Sequence, residues 1–428
     1  MKVAVIGGGG REHAIIRKLN EDGRCSAIYA IPGNGGIAGE ATCLPLKATD
    51  IPAVVQQCRQ LGVDYVVVAP DDPLALGMVD ALAAQGIPAF GPTRAAARIE
   101  ASKVFAKALM KMYNIPTADF ESFGDAAAAL DYIRRRGRYP VVVKADGLAL
   151  GKGVLICQNE AEATDAIQTI MVEKKFGDSG ARVVVEEFLT GPEVSVLAFC
   201  DGETLVPMVS SMDHKRALDG DAGPNTGGMG TVAPNPHYTP AMAQRSYEEI
   251  FLPTVRALQT EGAPFKGCLY FGLMLTADGP KVIEYNCRFG DPETQVVLPL
   301  LESDLLEIMR ACTEGRLREA MVRFAPGAAA CVVMASGGYP EKYATGLPIT
   351  GLAEAERLPG VAVYHAGTRL ENGQLLTSGG RVLGVTAVAP TLSAALSTAY
   401  QAAGAIHFEG AHYRRDIGKS ALSVLAHS

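Results

Sequence analysis

The first ninety residues alternate short β-rich runs with helical ones, and this order constrains the fold more than any other feature of the chain. In chain order, the strand-like and helix-like segments are Val3–Ile6, Glu12–Asn20, Ala27–Ala30, Ile51–Leu61, Tyr65–Ala69, Leu74–Gln85 and Ile87–Phe90. This alternation predicts a parallel sheet with helices on both faces. Ligands of such sheets bind at the carboxyl ends of the strands, where the loops Pro32–Gly36 and Pro70–Leu74 are expected to lie.

The first loop of this sheet, Gly7–Gly10, is suited to an anion. Glycines let backbone N–H groups at a helix start face a phosphate, and Arg11 adds a positive charge. A dinucleotide fingerprint would need a third glycine where the chain has Glu12, and no convincing ribose-binding acid follows the second strand. An oxidoreductase is therefore not expected, whereas a phosphorylated small molecule fits this loop.

Composition indicates the size class of the protein, the partners it does not favour and the compartment in which it is expected. A chain of 428 residues, 48% hydrophobic and 20% charged, predicts a globular protein of about three domains. Its net charge of −7 argues against nucleic acid or a membrane surface as the main partner. Nine scattered cysteines without a C-x-x-C pair are typical of reduced thiols. With no signal-peptide pattern at Met1, a cytoplasmic protein is expected.

The segment Lys281–Gln295, KVIEYNCRFGDPETQ, has the pattern of a metal and phosphate site. On a strand, Val282, Glu284 and Asn286 would alternate with Ile283 and Tyr285, which puts a carboxylate and an amide on one face. Mg²⁺ prefers such oxygen ligands and takes the rest from phosphates and water. An edge strand with a polar stripe would give the same pattern, so these residues alone leave both interpretations open.

The pattern after Pro92 predicts a helix over Ala95–Tyr113 and another over Phe123–Arg136. Lys103 and Lys107 lie one turn apart on the first, and most such pairs belong to a solvated face.

A glycine-rich flap is predicted next. The strand Val141–Lys144 is followed by the loop ADGLALGKG, Ala145–Gly153, and by a second strand, Val154–Ile156. Lys144 and Lys152 flank a loop that could lay backbone donors over a polyphosphate. An ordinary hairpin with a solvated lysine is the alternative, but Lys144 closes an apolar strand, where a charge usually needs a partner.

Strand Arg182–Glu187 runs into EEFLTGPE, Glu186–Glu193, which is suited to an adenine hinge. Backbone groups of Phe188 and Leu189 could pair with the base edge while a nearby acid binds the ribose. Strands often end in acids, so this segment alone is a weak signal.

Taken in order, these segments resemble the ATP-grasp superfamily, and the whole chain is most similar to its glycinamide ribonucleotide synthetase family. The motifs that carry the resemblance are GGGREHA at Gly8–Ala14, PGN at Pro32–Asn34, KADGLALGKGV at Lys144–Val154, DHKR at Asp213–Arg216, GPNTGGMG at Gly223–Gly230, EYNCRFGDPETQ at Glu284–Gln295, ASGGYP at Ala335–Pro340, HAGT at His365–Thr368 and SGGRVLGV at Ser378–Val385.

The resemblance implies a multidomain protein that combines α/β and α+β architecture. We expect an N-terminal parallel α/β domain in residues 1–100, which would bind the substrate phosphate. A two-lobed ATP-grasp region would follow in residues 101–325, with its lid at about 117–190. A β-rich domain in residues 326–428, with a helix at Thr391–Ala403, would pack over the cleft.

The resemblance also implies ligation of glycine to 5-phosphoribosylamine through glycyl phosphate, with ATP and Mg²⁺ or Mn²⁺, by a monomer. Its implied catalytic residues are Arg288, Lys144 and Asp213, and its implied metal ligands are Glu284 and Asn286. The residues that it implies for ATP binding are Lys103, Lys144, Gly151, Lys152, Gly153, Glu186, Glu187, Phe188, Leu189 and Glu193. The residues that it implies for substrate binding are Gly9, Arg11, Gly33, Asn34, Asp71, Lys215, Asn225, Gly228, Arg288 and Asp291.

Two alternatives stay open at this point. An ATP-grasp ligase or carboxylase for another small substrate would share the ATP site. A catalytically silent nucleotide-binding regulator would be expected to lack Glu284, Asn286 or Lys144, and all three are present. His214 could shuttle a proton, although a hydrogen-bonded loop histidine is the commoner state.

Overall fold

The computed structural model describes residues 1–148 and 153–427, and its N-terminal part is the predicted parallel sheet. From edge to edge, the strands are Thr42–Cys43, Ala27–Pro32, Lys2–Gly7, Tyr65–Val68 and Ala89–Phe90. The helices are Gly10–Glu21, Ile51–Leu61, Asp71–Ala75 and Met78–Ala83. Val3 and Val5 pack with the first helix, whereas Ala4 and Ile6 pack with the second. The sheet is therefore covered on both faces, as predicted.

Two predicted long helices are each divided in two. Helix Leu74–Gln85 was expected to be continuous, but Gly77 adopts a φ of +90° between its halves. The helix expected over Ala95–Tyr113 is Arg94–Ala101 followed by Lys103–Met112. Ser102 is extended between them, because its Oγ accepts from the N–H of Phe105 and donates to Asp146. This break makes Lys103 the first residue of a helix.

The lid sheet consists of four antiparallel strands. In spatial order they are Phe120–Phe123, Val183–Glu187, Val141–Ala145 and Val154–Cys157, and helices Ala126–Arg136 and Glu160–Ile167 pack with them. The predicted start of the first helix at Phe123 is wrong, since Phe123 ends a strand and Asp125 caps the helix. The flap residues Gly151 and Lys152 lie outside the described residues.

The central sheet carries the predicted metal strand at its edge. Its antiparallel strands are, in spatial order, Leu205–Pro207, Glu193–Asp201, Lys266–Thr276 and Gly279–Asn286. A bulge shifts the register, because Gly272 pairs with Glu284 while Leu273 pairs with Val282. Ile283 is the extra residue, so Val282 joins Tyr285 in the apolar core. The strict alternation predicted here is wrong at Val282, and Glu284 and Asn286 flank the buried Tyr285.

The C-terminal sheet draws strands from two distant parts of the chain. Its antiparallel order is Met212–Asp213, Gly230–Ala233, Ala328–Ala335, Arg381–Ala389 and Val361–His365. Hairpins Arg216–Leu218/Ala222–Asn225 and Thr368–Glu371/Gln374–Thr377 lie beside it. The predicted helix at Thr391–Ala403 is Leu392–Ala405, with Thr391 as its cap. Because Asp213 belongs to this sheet, the C-terminal part is built into the site rather than added to it.

The remaining helices surround these sheets. They are Pro240–Ser246, Leu252–Thr260, Thr294–Val297, Leu305–Glu314, Leu352–Glu356 and Lys419–Ala426. In residues 1–148 and 153–427, no helix has both the length and the apolar character to cross a bilayer. All nine cysteines lie in this described part and carry free thiols, as their spacing predicts.

Candidate active site

Two buried lysines share one buried glutamate where the lid sheet meets the central sheet. The Nζ atoms of Lys107 and Lys144 each lie 3.1 Å from Oε2 of Glu186. Lys107 also donates to Oγ1 of Thr117, and Lys144 donates to the carbonyl of Ile283. The expectation that Lys107 belongs to a solvated face is wrong, since the residue is 2% exposed. Lys144 has the partner that its place in an apolar strand requires.

The other oxygen of this glutamate is the clearest mark of a ligand. Among the described residues, none donates a hydrogen bond to Oε1 of Glu186, although that atom is buried. Buried polar atoms in proteins almost always have a partner. The predicted hinge follows directly, and Phe188 is 39% exposed. A buried acceptor without a partner, close to the exposed Phe188, could accept a hydrogen bond from the exocyclic amino group of adenine.

Other predicted ATP residues surround this position. Lys103 donates from Nζ to the carbonyl of Gly147, and burial lowers the pKa of Lys103. Glu187 accepts from the N–H of Asp119 and lies 3.7 Å from Lys281. Gly153 is the first described residue after the flap gap, and its carbonyl accepts from Ala145. These contacts place the base of the flap beside Lys103.

The metal ligands predicted from the sequence are held with their oxygens available. Burial raises the pKa of Glu284, but Lys215, Lys144 and Lys103 outweigh it and bring that pKa below its ordinary value. Asn286 donates from Nδ2 to Glu100 at 2.8 Å, which leaves its carbonyl oxygen as the possible ligand. Within the described residues, no cluster of three His, Cys, Asp or Glu side chains suits a metal. An ion held by Glu284 and Asn286 would take its further ligands from phosphates and water.

Glu100 organises this segment, and sequence reasoning missed it. The carboxylate is buried on helix Arg94–Ala101, accepts from the N–H of Cys287 at 2.7 Å, and lies 3.0 Å from Nη2 of Arg288. Asp71 lies 3.9 Å from the same guanidinium. Glu100 thus orients Arg288 beside Asn286, one of the two predicted metal ligands. The buried Nε of Arg288 has no hydrogen-bond partner among the described residues. A single acid inside a helix gives no sequence signal for this role.

The residues predicted on the substrate side form a second charged group. Lys215 lies 3.3 Å from Glu193 and 3.7 Å from Glu284, and Glu193 is the main cause of the raised pKa of Lys215. Burial, and then the neighbouring charge of Glu293, raise the pKa of Asp213 well above its ordinary value. Both effects favour the protonated form of this carboxyl group over the ionised form.

His214 has a structural role. Its Nδ1 lies 3.1 Å from the carbonyl of Gly230, and its Nε2 accepts from the N–H of Gly418. Both ring nitrogens therefore have hydrogen-bond partners. This favours a structural, hydrogen-bonded loop histidine over a proton shuttle.

A cavity of about 410 Å³ opens between the N-terminal loops and the C-terminal sheet. It is lined by Gly8, Gly9, Gly33, Asn34, Asp291, Tyr339, Ala366, Gly367, Thr368, Ser378 and Arg381. Arg381, which the sequence reasoning did not select, donates to the carbonyls of Gly227 and Asp291 and lies 3.5 Å from the Asp291 carboxylate. A Cβ at Gly8 would lie 2.4 Å from the carbonyl oxygen of Gly33, so the two loops touch because Gly8 has no side chain.

The side chains of two predicted substrate residues, Arg11 and Asn34, are engaged in contacts within the protein. The guanidinium of Arg11 was expected to face an anion, but it pairs with Glu12 at 2.7 Å and donates to the carbonyl of Phe289. Glu12 needs this partner because it is buried while it accepts from the N–H of Gly9. The side chain of Asn34 is also fully engaged, since Nδ2 donates to two carbonyls and Oδ1 accepts from two N–H groups. Only its backbone remains for a ligand.

Gly228 and Asn225 complete the predicted set. Gly228 has a φ of +115°, and a Cβ there would lie 2.6 Å from Oδ1 of Asp213. Asn225 pairs with Arg216 in a hairpin and does not line the cavity.

The chain matches three family models in consecutive order. They are the N domain of phosphoribosylglycinamide synthetase over residues 1–100, its ATP-grasp (A) domain over 101–294 and its C domain over 329–420. A phosphoribosylamine–glycine ligase of Rhodopirellula baltica is 47% identical over 426 residues, which cover 98% of each chain. A trifunctional purine biosynthetic protein adenosine-3 of Gallus gallus is 47% identical over 430 residues, but the chain spans only 43% of its length.

A solved structure agrees with the sequence relatives. The crystal structure of phosphoribosylamine–glycine ligase from Thermotoga maritima superposes with a TM-score of 0.85 at 34% identity, covering 97% of this chain and 100% of that one. These matches confirm the resemblance drawn from the motifs and the predicted fold class. The chain belongs to the phosphoribosylglycinamide synthetase family and is an ATP-grasp ligase.

Proposed function

We propose that the protein uses ATP to join glycine to 5-phosphoribosylamine, giving glycinamide ribonucleotide, ADP and phosphate. One observation carries the proposal: a single segment connects both halves of the site. Glu284 and Asn286 would face the nucleotide, Glu100 holds Arg288, and Asp291 lines the cavity. Groups that would activate a carboxylate and groups that would hold a sugar phosphate then lie within a few residues of each other in this proposal.

The nucleotide would lie between the lid and central sheets. Oε1 of Glu186 would accept from the adenine amino group, and backbone groups of Phe188 and Leu189 would pair with the base edge. Lys103 and Lys144 would contact the phosphates. A divalent cation, Mg²⁺ or Mn²⁺, held by Glu284 and Asn286 would neutralise charge on the phosphates.

In the first step, a carboxylate oxygen of glycine would attack the γ-phosphorus, and the bond from that phosphorus to the bridging oxygen of ADP would break. Arg288 would hold the glycine carboxylate or the phosphoryl group through a forked hydrogen-bond pair. In the second step, the amine of phosphoribosylamine would attack the acyl carbon, and phosphate would leave. Asp213, whose pKa is raised, would accept the amine proton.

The sugar phosphate would occupy the cavity of about 410 Å³. Gly9 and Gly33 would present backbone N–H groups to it. Arg381 would supply the positive charge that was expected from Arg11, since Arg381 lines the cavity directly. Lys215 would lie between the two halves of the site.

We also propose that the protein acts in the cytoplasm as a monomer on small molecules. The nine free thiols and the net charge of −7 support this setting.

Transfer of a glycine oxygen tests the acyl-phosphate route. With glycine labelled by ¹⁸O in both carboxylate oxygens, the phosphate released with each product molecule should carry one ¹⁸O, because that oxygen attacks phosphorus and leaves with it. Mass spectrometry of the phosphate measures the label. Unlabelled phosphate formed together with glycinamide ribonucleotide would exclude a glycyl phosphate intermediate.

A further inference from the structure

His13, in the glycine-loop motif GGGREHA, joins the N-terminal and C-terminal parts of the chain. The residue is 1% exposed on helix Gly10–Glu21. Its Nδ1 accepts from the backbone N–H of His365 at 2.8 Å, and its Nε2 lies 3.1 Å from Oε1 of Glu40. An ionised carboxylate can only accept, so Nε2 carries the hydrogen and Nδ1 is the acceptor. One neutral tautomer therefore satisfies both contacts.

The backbone held by His13 leads directly into the wall of the cavity. Strand Val361–His365 ends at the contact, and the next three residues, 366–368, all line the cavity. Asn34 donates to the carbonyl of His365 at 2.7 Å, and Gly35 donates to the carbonyl of Thr368 at 3.0 Å. His13 thus closes a set of contacts that connects the N-terminal loops to the C-terminal loop.

Charged and titratable groups from several parts of the chain surround the ring of His13. They are Arg17, Glu40, Glu356, Tyr364 and His365. Burial is the largest effect and lowers the pKa of His13, against the hydrogen bond to Glu40, which raises it. Burial also raises the pKa of Glu40, but hydrogen bonds from His13 and Arg17 bring it down to about 2. A proton on Nδ1 would face the N–H of His365, so only the neutral ring keeps that contact.

We propose that His13 is a positioning residue for the sugar-phosphate substrate: it holds the loop 366–368 at the spacing from the glycine loop that phosphoribosylamine requires. The inference rests on the proposed function. His13 does not line the cavity itself, and its hydrogen-bond partners, Glu40 and His365, are not among the residues proposed to bind the nucleotide. Its effect should therefore fall on one of the three substrates.

Three variants separate the two contacts of the ring. His13→Asn keeps an acceptor at the position of Nδ1, His13→Gln keeps a polar group near Nε2 but loses that acceptor, and His13→Leu loses both. The KM for phosphoribosylamine, formed in the assay from ribose 5-phosphate and ammonia, should rise about tenfold or more in the Leu and Gln variants. The Asn variant should recover most of the loss. The KM values for ATP and glycine should stay within about twofold in all three variants.

The same KM measurements can also contradict the proposed role of His13. Equal KM values for phosphoribosylamine in the Asn and Gln variants would overturn it, and so would a matching rise in all three KM values. If the Leu variant does not fold, the Asn and Gln variants still give the comparison. Failure of the proposed function would appear differently, as the absence of phosphoribosylamine-dependent ADP formation by the unmodified protein.

Discussion

Glu186→Gln is expected to lower the free energy of unfolding by about 3 kcal/mol, because two buried lysines lose their shared counter-charge. Lys107 and Lys144 each lie 3.1 Å from the same oxygen, and the glutamate is 3% exposed. The loss should appear in urea unfolding without nucleotide. The double variant Lys107→Met/Glu186→Gln should recover part of the stability, since it removes one of the two unpaired charges.

The next residue provides a matched control. The Glu187 side chain is 35% exposed and lies 3.7 Å from Lys281, so Glu187→Gln should cost less than about 1 kcal/mol. Equal losses in the Glu186 and Glu187 variants would show that the buried cluster does not stabilise the fold as its geometry indicates.

Glu284→Gln is expected to lower kcat by about a hundredfold at limiting Mg²⁺, since one charge interaction in such a site is worth on the order of 3 kcal/mol. The change keeps the size of the side chain and one carbonyl oxygen. Higher Mg²⁺ should restore part of the rate, because mass action offsets weaker binding. Initial rates over a Mg²⁺ series measure both effects.

Glu203→Gln, at an exposed position, should keep the normal rate and serves as the control. A Glu284→Gln enzyme with a normal rate at limiting Mg²⁺ would mean that Glu284 is only the polar stripe of an edge strand. Stability without ligands should fall slightly, since Glu284 is surrounded by Lys215, Lys144 and Lys103.

Local sequence patterns predicted the elements of the fold but not their interruptions. Strands such as Lys2–Gly7 and helix Ile51–Leu61 follow from apolar periodicity, which depends on neighbouring residues alone. Ser102 interrupts a helical pattern because its hydroxyl also bonds Asp146, 44 residues away. The bulge at Ile283 likewise depends on the facing strand.

Pairings between distant residues explain most of what the sequence did not reveal about the site. Glu100 meets Asn286, 186 residues away, and Arg381 meets Asp291, 90 residues away. Neither Glu100 nor Arg381 stands in a sequence pattern that would identify its partner. Arg11 was assigned to an anion because it follows a glycine loop, but the adjacent buried Glu12 takes its charge. Motifs identified the chemistry of the site, whereas its supporting residues required the fold.

Substrate omission tests the central claim most directly. The protein is incubated with ATP, Mg²⁺, glycine and freshly formed phosphoribosylamine, and ADP and glycinamide ribonucleotide are measured by mass spectrometry while each substrate is omitted in turn. We expect product only with the complete mixture, in equal amounts to ADP, and much less product when alanine replaces glycine. The proposed ligation would be contradicted if ADP formed at the same rate without phosphoribosylamine and no glycinamide ribonucleotide appeared. Equal kcat/KM for alanine and glycine would also contradict it.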